Sequence, residues 1–128
     1  MSKINNDFID IDYIKNELKE VYYTNEAKTN KIWIDGKPIY RKVYYIASLP
    51  NATSQDYDPG ISNMNYLVDM SGTIIFANGF MPVNTPRPDS NGSGVAFYWQ
   101  NNKIHVISPS DRSNWSCYVI LEYTKTNN

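Results

Sequence analysis

The chain contains one cysteine, Cys117, and one histidine, His105. A single thiol excludes an intramolecular disulfide and a cysteine-based zinc cluster, and a single imidazole leaves one ordinary proton shuttle near neutral pH. Charge is also scarce in net terms: 12 Lys and Arg stand against 13 Asp and Glu. No basic stripe for nucleic acid or an anionic membrane results, and the densest basic spot, Arg41-Lys42, falls inside an expected strand. No apolar run approaches the ~20 residues of a membrane span. The opening Met1-Ser2-Lys3-Ile4-Asn5-Asn6-Asp7 lacks the apolar core of a secretory signal. The expectation is a soluble chain made in a cytosol, without membrane insertion, nucleic-acid binding or a cofactor. The Asn-X-Ser/Thr triplets at Asn51, Asn91 and Asn114 then read as chance.

Aromatic surface is what the chain has in quantity: 14% of its residues are aromatic, eleven of them tyrosine. Tyrosine buries a ring while keeping its hydroxyl wet, and it makes good contact surfaces. With 128 residues, one domain with one core is the natural expectation.

Over residues 8–21, Phe8, Ile11, Ile14, Leu18 and Val21 recur at helical spacing, with Asp7 as N-cap, Asp10 and Asp12 early and Lys15 and Lys19 later. A lone helix of this length is marginal in water, so its apolar face must dock. It can pack on its own β domain, form a short three-helix seam, or plug into a larger assembly. Residues 1–21 are accordingly read as a helical assembly or anchoring segment, and the polar stretch 22–30 as a linker. The β domain, 31–128, opens on Lys31-Ile32-Trp33-Ile34-Asp35-Gly36-Lys37-Pro38-Ile39-Tyr40-Arg41-Lys42. Asp35-Gly36 predicts a two-residue type I′ hairpin pairing Trp33 with Pro38 and Ile32 with Ile39.

Residues 49–60 read as a long loop. Tyr66-Leu67-Val68-Asp69-Met70 and Thr73-Ile74-Ile75-Phe76-Ala77, separated by Ser71-Gly72, form either a hairpin or one strand with a bulge. A short edge strand at 80–83 and a Pro- and Gly-rich loop at 84–94 follow. A third hairpin turns at Asn101-Asn102 and pairs Gln100 with Lys103, which puts Val95, Phe97, Trp99, Ile104 and Val106 on a core face. Tyr98, His105, Ala96 and Ile107 fall on the other. The last strand, 116–125, turns Cys117, Val119, Leu121 and Tyr123 inward. Some seven or eight short strands at this spacing predict a mainly β protein, an antiparallel β-sandwich or barrel-like sandwich preceded by one helix.

No catalytic constellation stands out. His105 with Ser108 or Ser110 and Asp111 supplies the residue types of a hydrolytic triad, but no nucleophile elbow accompanies them. Asp56-Tyr57-Asp58-Pro59-Gly60 lacks the remaining ligands of a calcium loop and reads as a solvated turn. The physical recipe for sugar binding is an apolar ring to stack on with carboxylate, amide and guanidinium beside it. Trp115 with Asp111, Arg112 and Asn114 has that composition. Tyr98 with His105 is a second candidate patch. The plainer alternative makes Trp115 a cap on the core, Asp111 and Arg112 turn-formers, and His105 an ordinary strand residue.

The hairpin Trp33-Ile34-Asp35-Gly36-Lys37-Pro38-Ile39-Tyr40-Arg41-Lys42, the later Leu49-Pro50-Asn51, and the ending Asp111-Arg112-Ser113 with Tyr118-Val119-Ile120-Leu121-Glu122-Tyr123-Thr124-Lys125-Thr126 resemble a C-terminal head domain of phage and prophage tail-fibre and receptor-binding proteins, largely of Firmicutes and other gut bacteria. The likeness spans residues 22–128. It implies a homotrimeric β-sandwich head on the virion surface, made in the bacterial host cytoplasm, that adheres to host cell-surface carbohydrate and carries no catalytic motif. That domain usually ends a long fibre. The short helical segment here suggests instead a small tail tip, decoration subunit or head fibre that inserts residues 1–21 among other virion proteins. A purely structural connector and a polysaccharide-acting hydrolase are the alternatives.

Overall fold

The computed structural model describes residues 21–85 and 94–127. The helix expected from residue 8 lies outside them apart from Val21 and Tyr22, which are not helical, and so does the centre of the 84–94 loop. The described residues form eight strands: β1 (Ala27–Ile32), β2 (Pro38–Ile46), β3 (Ser54–Tyr57), β4 (Met64–Phe76), β5 (Gly79–Pro82), β6 (Ala96–Gln100), β7 (Lys103–Ile107) and β8 (Ser116–Lys125). All pairings are antiparallel. They build a five-stranded sheet in the order β1-β2-β8-β4-β5, curled like a half-barrel, and a three-stranded sheet in the order β3-β7-β6.

β8 lies at the centre of the larger sheet, and its second half, Leu121 to Thr124, is buried on both faces. Cys117, Val119, Leu121 and Tyr123 are all fully buried, as the alternation predicts. They share a core with Ile46, Ile74 and the inward residues of the smaller sheet, Phe97, Ile104 and Val106. The other face of β8 carries Tyr118, Ile120, Glu122 and Thr124, aligned with Tyr45, Val43 and Arg41 on β2. We call this the outer face of the five-stranded sheet.

The Asn101-Asn102 turn forms as expected. Both residues have positive φ, 54° and 65°, and Gln100 pairs with Lys103. The Asp35-Gly36 turn corrects the two-residue reading. Gly36 alone takes a left-handed φ of 88°. Asp35 instead uses its carboxylate to accept the Lys37 N–H at 3.0 Å. The Gly36 N–H donates to Trp33 O and the Trp33 N–H to Lys37 O, the pattern of a type I turn closed by a glycine bulge. Ile32 therefore pairs with Pro38 rather than Ile39. β1 also begins at Ala27, inside the stretch read as linker. Its polar residues suit an edge strand, where one side of the ladder faces water.

β4 is one continuous strand, with register shifts between Met64 and Tyr66 and between Leu67 and Asp69 rather than at Ser71-Gly72. Gly72 serves another purpose: its φ is 134°, and a Cβ there would meet the Tyr118 carbonyl. β4 and β8 can pair closely only because that side chain is missing. Residues 49–60 are not all loop, because β3 pairs with β7. Asn84 ties the sheets together, its side-chain amide accepting the Phe97 N–H at 2.8 Å and donating to Phe97 O at 3.0 Å.

Gly72→Ala should cost about 2–4 kcal/mol, combining strain with a backbone collision. Gly36→Ala, where a Cβ meets nothing within 4 Å, should cost only about 1–2 kcal/mol of left-handed strain. Urea denaturation midpoints of the two variants check the difference.

Candidate functional site

The two sequence-derived patches lie in separate places and differ in kind. The first is the loop leading into β8. It is stitched to residues 48–52 by hydrogen bonds from Leu49 N–H to Trp115 O, Arg112 N–H to Pro50 O, Ala52 N–H to Ser110 O and Ser48 Oγ to Ser113 O. Asp111 Oδ1 accepts both the Ser113 hydroxyl at 2.6 Å and the Ser113 N–H at 2.9 Å. These bonds, with the Arg112 charge beside them, hold its carboxyl below the usual range. The Arg112 guanidinium lies 4.3 Å from the Trp115 ring centre. The indole is half-buried against the core, with Phe76 at 5.4 Å. Asn114 is exposed at the tip. The side chains of this loop thus chiefly contact one another, and the ring a sugar would need is covered by a cation.

The second patch is open. The hairpin register sets Tyr98 opposite His105, and the β3–β7 register sets Asp56 on the other side of His105. The result is a row across all three strands of the smaller sheet. Ring centres of Tyr98 and His105 are 4.9 Å apart. His105 Nδ1 lies 2.6 Å from Asp56 Oδ1, and since a carboxylate only accepts, Nδ1 is the donor. Tyr98 is 41% exposed and the Asp56 side chain 47%. Ala96 and Ser54 flank the row through their pairing with Ile107, so small side chains neighbour the tyrosine ring and the carboxylate.

Asp56 was not a sequence candidate. It is 49 residues from His105 and sits in a short polar strand that reads as a turn. Its alternation with Tyr57, which turns toward the core, was the available signal. The imagined triad does not assemble. His105 is on the open face, whereas Ser108, an odd number of residues away, is 1% exposed and buried, and Asp111 is engaged by Ser113. Among the described residues, no group of three or more His, Cys, Asp or Glu is placed to hold a metal ion. Of the apolar residues assigned to assembly, Phe8, Ile11, Ile14 and Leu18 lie outside the described residues, and Val21 is half-buried at their start.

A separate cluster ties the chain before β1 to β8. Glu26 accepts from the Tyr123 hydroxyl at 2.5 Å and from Lys125 Nζ at 2.8 Å. Partial burial would raise the Glu26 carboxyl, but these bonds and the Lys125 and Lys42 charges outweigh it and hold it low. Burial and the Glu26 anion push the Tyr123 hydroxyl up, so it remains a donor. Burial likewise pushes the Cys117 thiol up to about 12, leaving it inert.

A carboxyl lowered in the folded state stabilises fully above its ordinary value of 4.5, and that contribution disappears as pH falls through the lowered value. The melting temperature should therefore drop on acidification below about 4.5, and Glu26→Gln should shrink this acid-dependent drop. Trp115→Ala should cost about 3 kcal/mol as a core truncation. Tyr98→Ala should cost less than about 1 kcal/mol, which chemical denaturation would distinguish. Comparison with protein-family models, with curated proteins and with solved structures gives no match for the chain.

Proposed function

We propose that the chain is a non-enzymatic adhesive head of a phage virion, a β-sandwich whose smaller sheet binds carbohydrate of the bacterial cell surface. The row Tyr98–His105–Asp56 carries this reading. It joins an exposed aromatic ring to a hydrogen-bonded imidazole and carboxylate on one flat face. A pyranose has apolar C–H faces that stack on such a ring and equatorial hydroxyls that donate to a carboxylate. The Asp56 bond selects the His105 tautomer protonated on Nδ1, which leaves Nε2 of the neutral ring as an acceptor. No deep cleft is required, because a shallow site that binds weakly gains strength from repetition over a homotrimer and over many virion copies. The motif resemblance of the Trp33–Lys42 hairpin and of the chain's ending supplies the virion setting.

The loop around Trp115 then becomes scaffold beside the site. Binding of purified protein to a panel of bacterial envelope polysaccharides tests the assignment. Tyr98→Ala should lower affinity by roughly tenfold or more, the loss of one ring-stacking contact of about 1–3 kcal/mol. Asp56→Asn should weaken binding while the melting temperature stays near that of the parent. Arg112→Ala should leave binding unchanged. Equal binding by the parent and by Tyr98→Ala would reject the row as the contact surface.

A further inference from the structure

The open face of the three-stranded sheet is laid out in rows that run from one margin of the sheet to the other. Register sets Ser54, Ile107 and Ala96 in one row, Asp56, His105 and Tyr98 in the next, and Lys103 and Gln100 beyond them. β3 and β6 are the edge strands and β7 lies between them. Asp56 and Tyr98 therefore stand at opposite margins, two strand spacings or about 9–10 Å apart. The imidazole of His105 packs on Tyr98 at 4.9 Å with the planes tilted by 44°. It takes the side of the phenol ring turned to β7, so the side left for a ligand is turned to the margin of β6. Among the described residues no second ring or cation packs on Tyr98. At the other end of the row, His105 Nδ1 engages Asp56 Oδ1 at 2.6 Å, which leaves Asp56 Oδ2 and, in the neutral ring, His105 Nε2 as acceptors.

We infer that this row takes an interior stretch of a polysaccharide chain, at least two linked sugar units lying across the strands, and not a single sugar or a chain end. This rests on the carbohydrate reading of the row and adds to it a ligand length and a direction. With covalent bonds of about 1.4–1.5 Å, a pyranose measures about 5–6 Å between the oxygens at its two ends. One ring therefore cannot stack on the free side of Tyr98 and also reach the Asp56 carboxylate, whereas two linked rings can. A site for a chain end needs a wall that stops the next unit, and here both margins of the row are edge strands. The flanking row is low: Ser54 and Ala96 are small, and Ile107 between them is 37% exposed, so a chain crossing beside Tyr98 and His105 meets an apolar floor. On the other flank the exposed Lys103 and Gln100 offer donors to hydroxyls. Strand addition by a peptide is disfavoured at the β6 margin, because the Asn84 side-chain amide already pairs with both backbone groups of Phe97.

The test uses the full chain with the panel of bacterial envelope polysaccharides, each also cut by partial acid hydrolysis into sized pieces from a single sugar unit upward. Affinity is read by titration of nitrogen-15-labelled protein, and stoichiometry on the long chains by calorimetry. Affinity for pieces of a polysaccharide that binds should rise roughly tenfold or more from one unit to three, as the second contact is gained, and then level off. In Tyr98→Ala and in Asp56→Asn, each of which removes one end of the row, that rise should shrink to less than about threefold. Long chains should take up more copies of the protein in proportion to their length. A single sugar bound as tightly as the three-unit piece, a rise unaffected by either variant, or one copy per chain whatever its length would overturn the inference and leave the carbohydrate reading standing. Absence of binding to every polysaccharide of the panel would overturn both.

Discussion

Glu122 is the residue around which the larger sheet is obliged to fold. It lies on the central strand β8 and is 8% exposed. An ionised carboxylate so far from water is tolerated only when other groups replace its hydration. Arg41, directly across the ladder, supplies two bonds to Oε2, from Nε at 2.9 Å and from the guanidinium terminus at 2.5 Å. Lys31 supplies a third contact at 3.1 Å from the next strand outward. Removing one partner from such a pair typically costs about 3–5 kcal/mol, because the other charge is left buried and unpaired. The pair therefore stabilises little by existing, but it sharply penalises any register of β2 on β8 that separates the two.

That penalty explains the curl. Lys31 can meet Glu122, two strands away, only if β1 bends over the outer face, and the Trp33–Tyr66 stack closes the same bend from β1 to β4. The type I turn with its glycine bulge adds local twist where the hairpin begins to lean inward. β4 contributes from the other side, with register shifts near Tyr66 that steepen its bend. The curl covers one end of the outer face, where Arg41 and Glu122 are buried, and leaves Tyr45, Tyr118 and Phe80 exposed at the other.

Strand content was legible wherever alternation was strong. Cys117, Val119, Leu121 and Tyr123, and the Phe97–Val106 hairpin around Asn101-Asn102, could be read because one face is fully buried and the turn chemistry is unambiguous. The Asp35-Gly36 register was not, because the dipeptide serves a two-residue and a three-residue turn equally well, and which one forms depends on how β2 pairs with β8. β3 was hidden by its polarity: an edge strand with Ser54, Gln55 and Asp56 outwardly resembles a loop. Tyr98 facing His105 was legible from the hairpin alone, whereas Asp56 beside them depends on a long-range pairing that no local pattern encodes. Trp115 and Arg112 had the composition of a site, but composition does not reveal that a guanidinium already lies over the ring.

The two sheets end with open faces of opposite chemistry. The smaller sheet presents Tyr98 with His105 and Asp56, groups that keep hydrogen-bonding capacity in water and cost little when left exposed. Such a face can wait unoccupied and bind weakly and reversibly. The larger sheet presents Tyr45, Tyr118, Ile75 and Phe80 with no charge among them, and water gains nothing from contact with it. A permanent cover lowers the free energy of that face at every moment, whereas a transient ligand would relieve it only while bound. The smaller sheet's polar aromatic face thus suits exchangeable contacts, whereas the uncharged end of the larger sheet gains most from lasting cover.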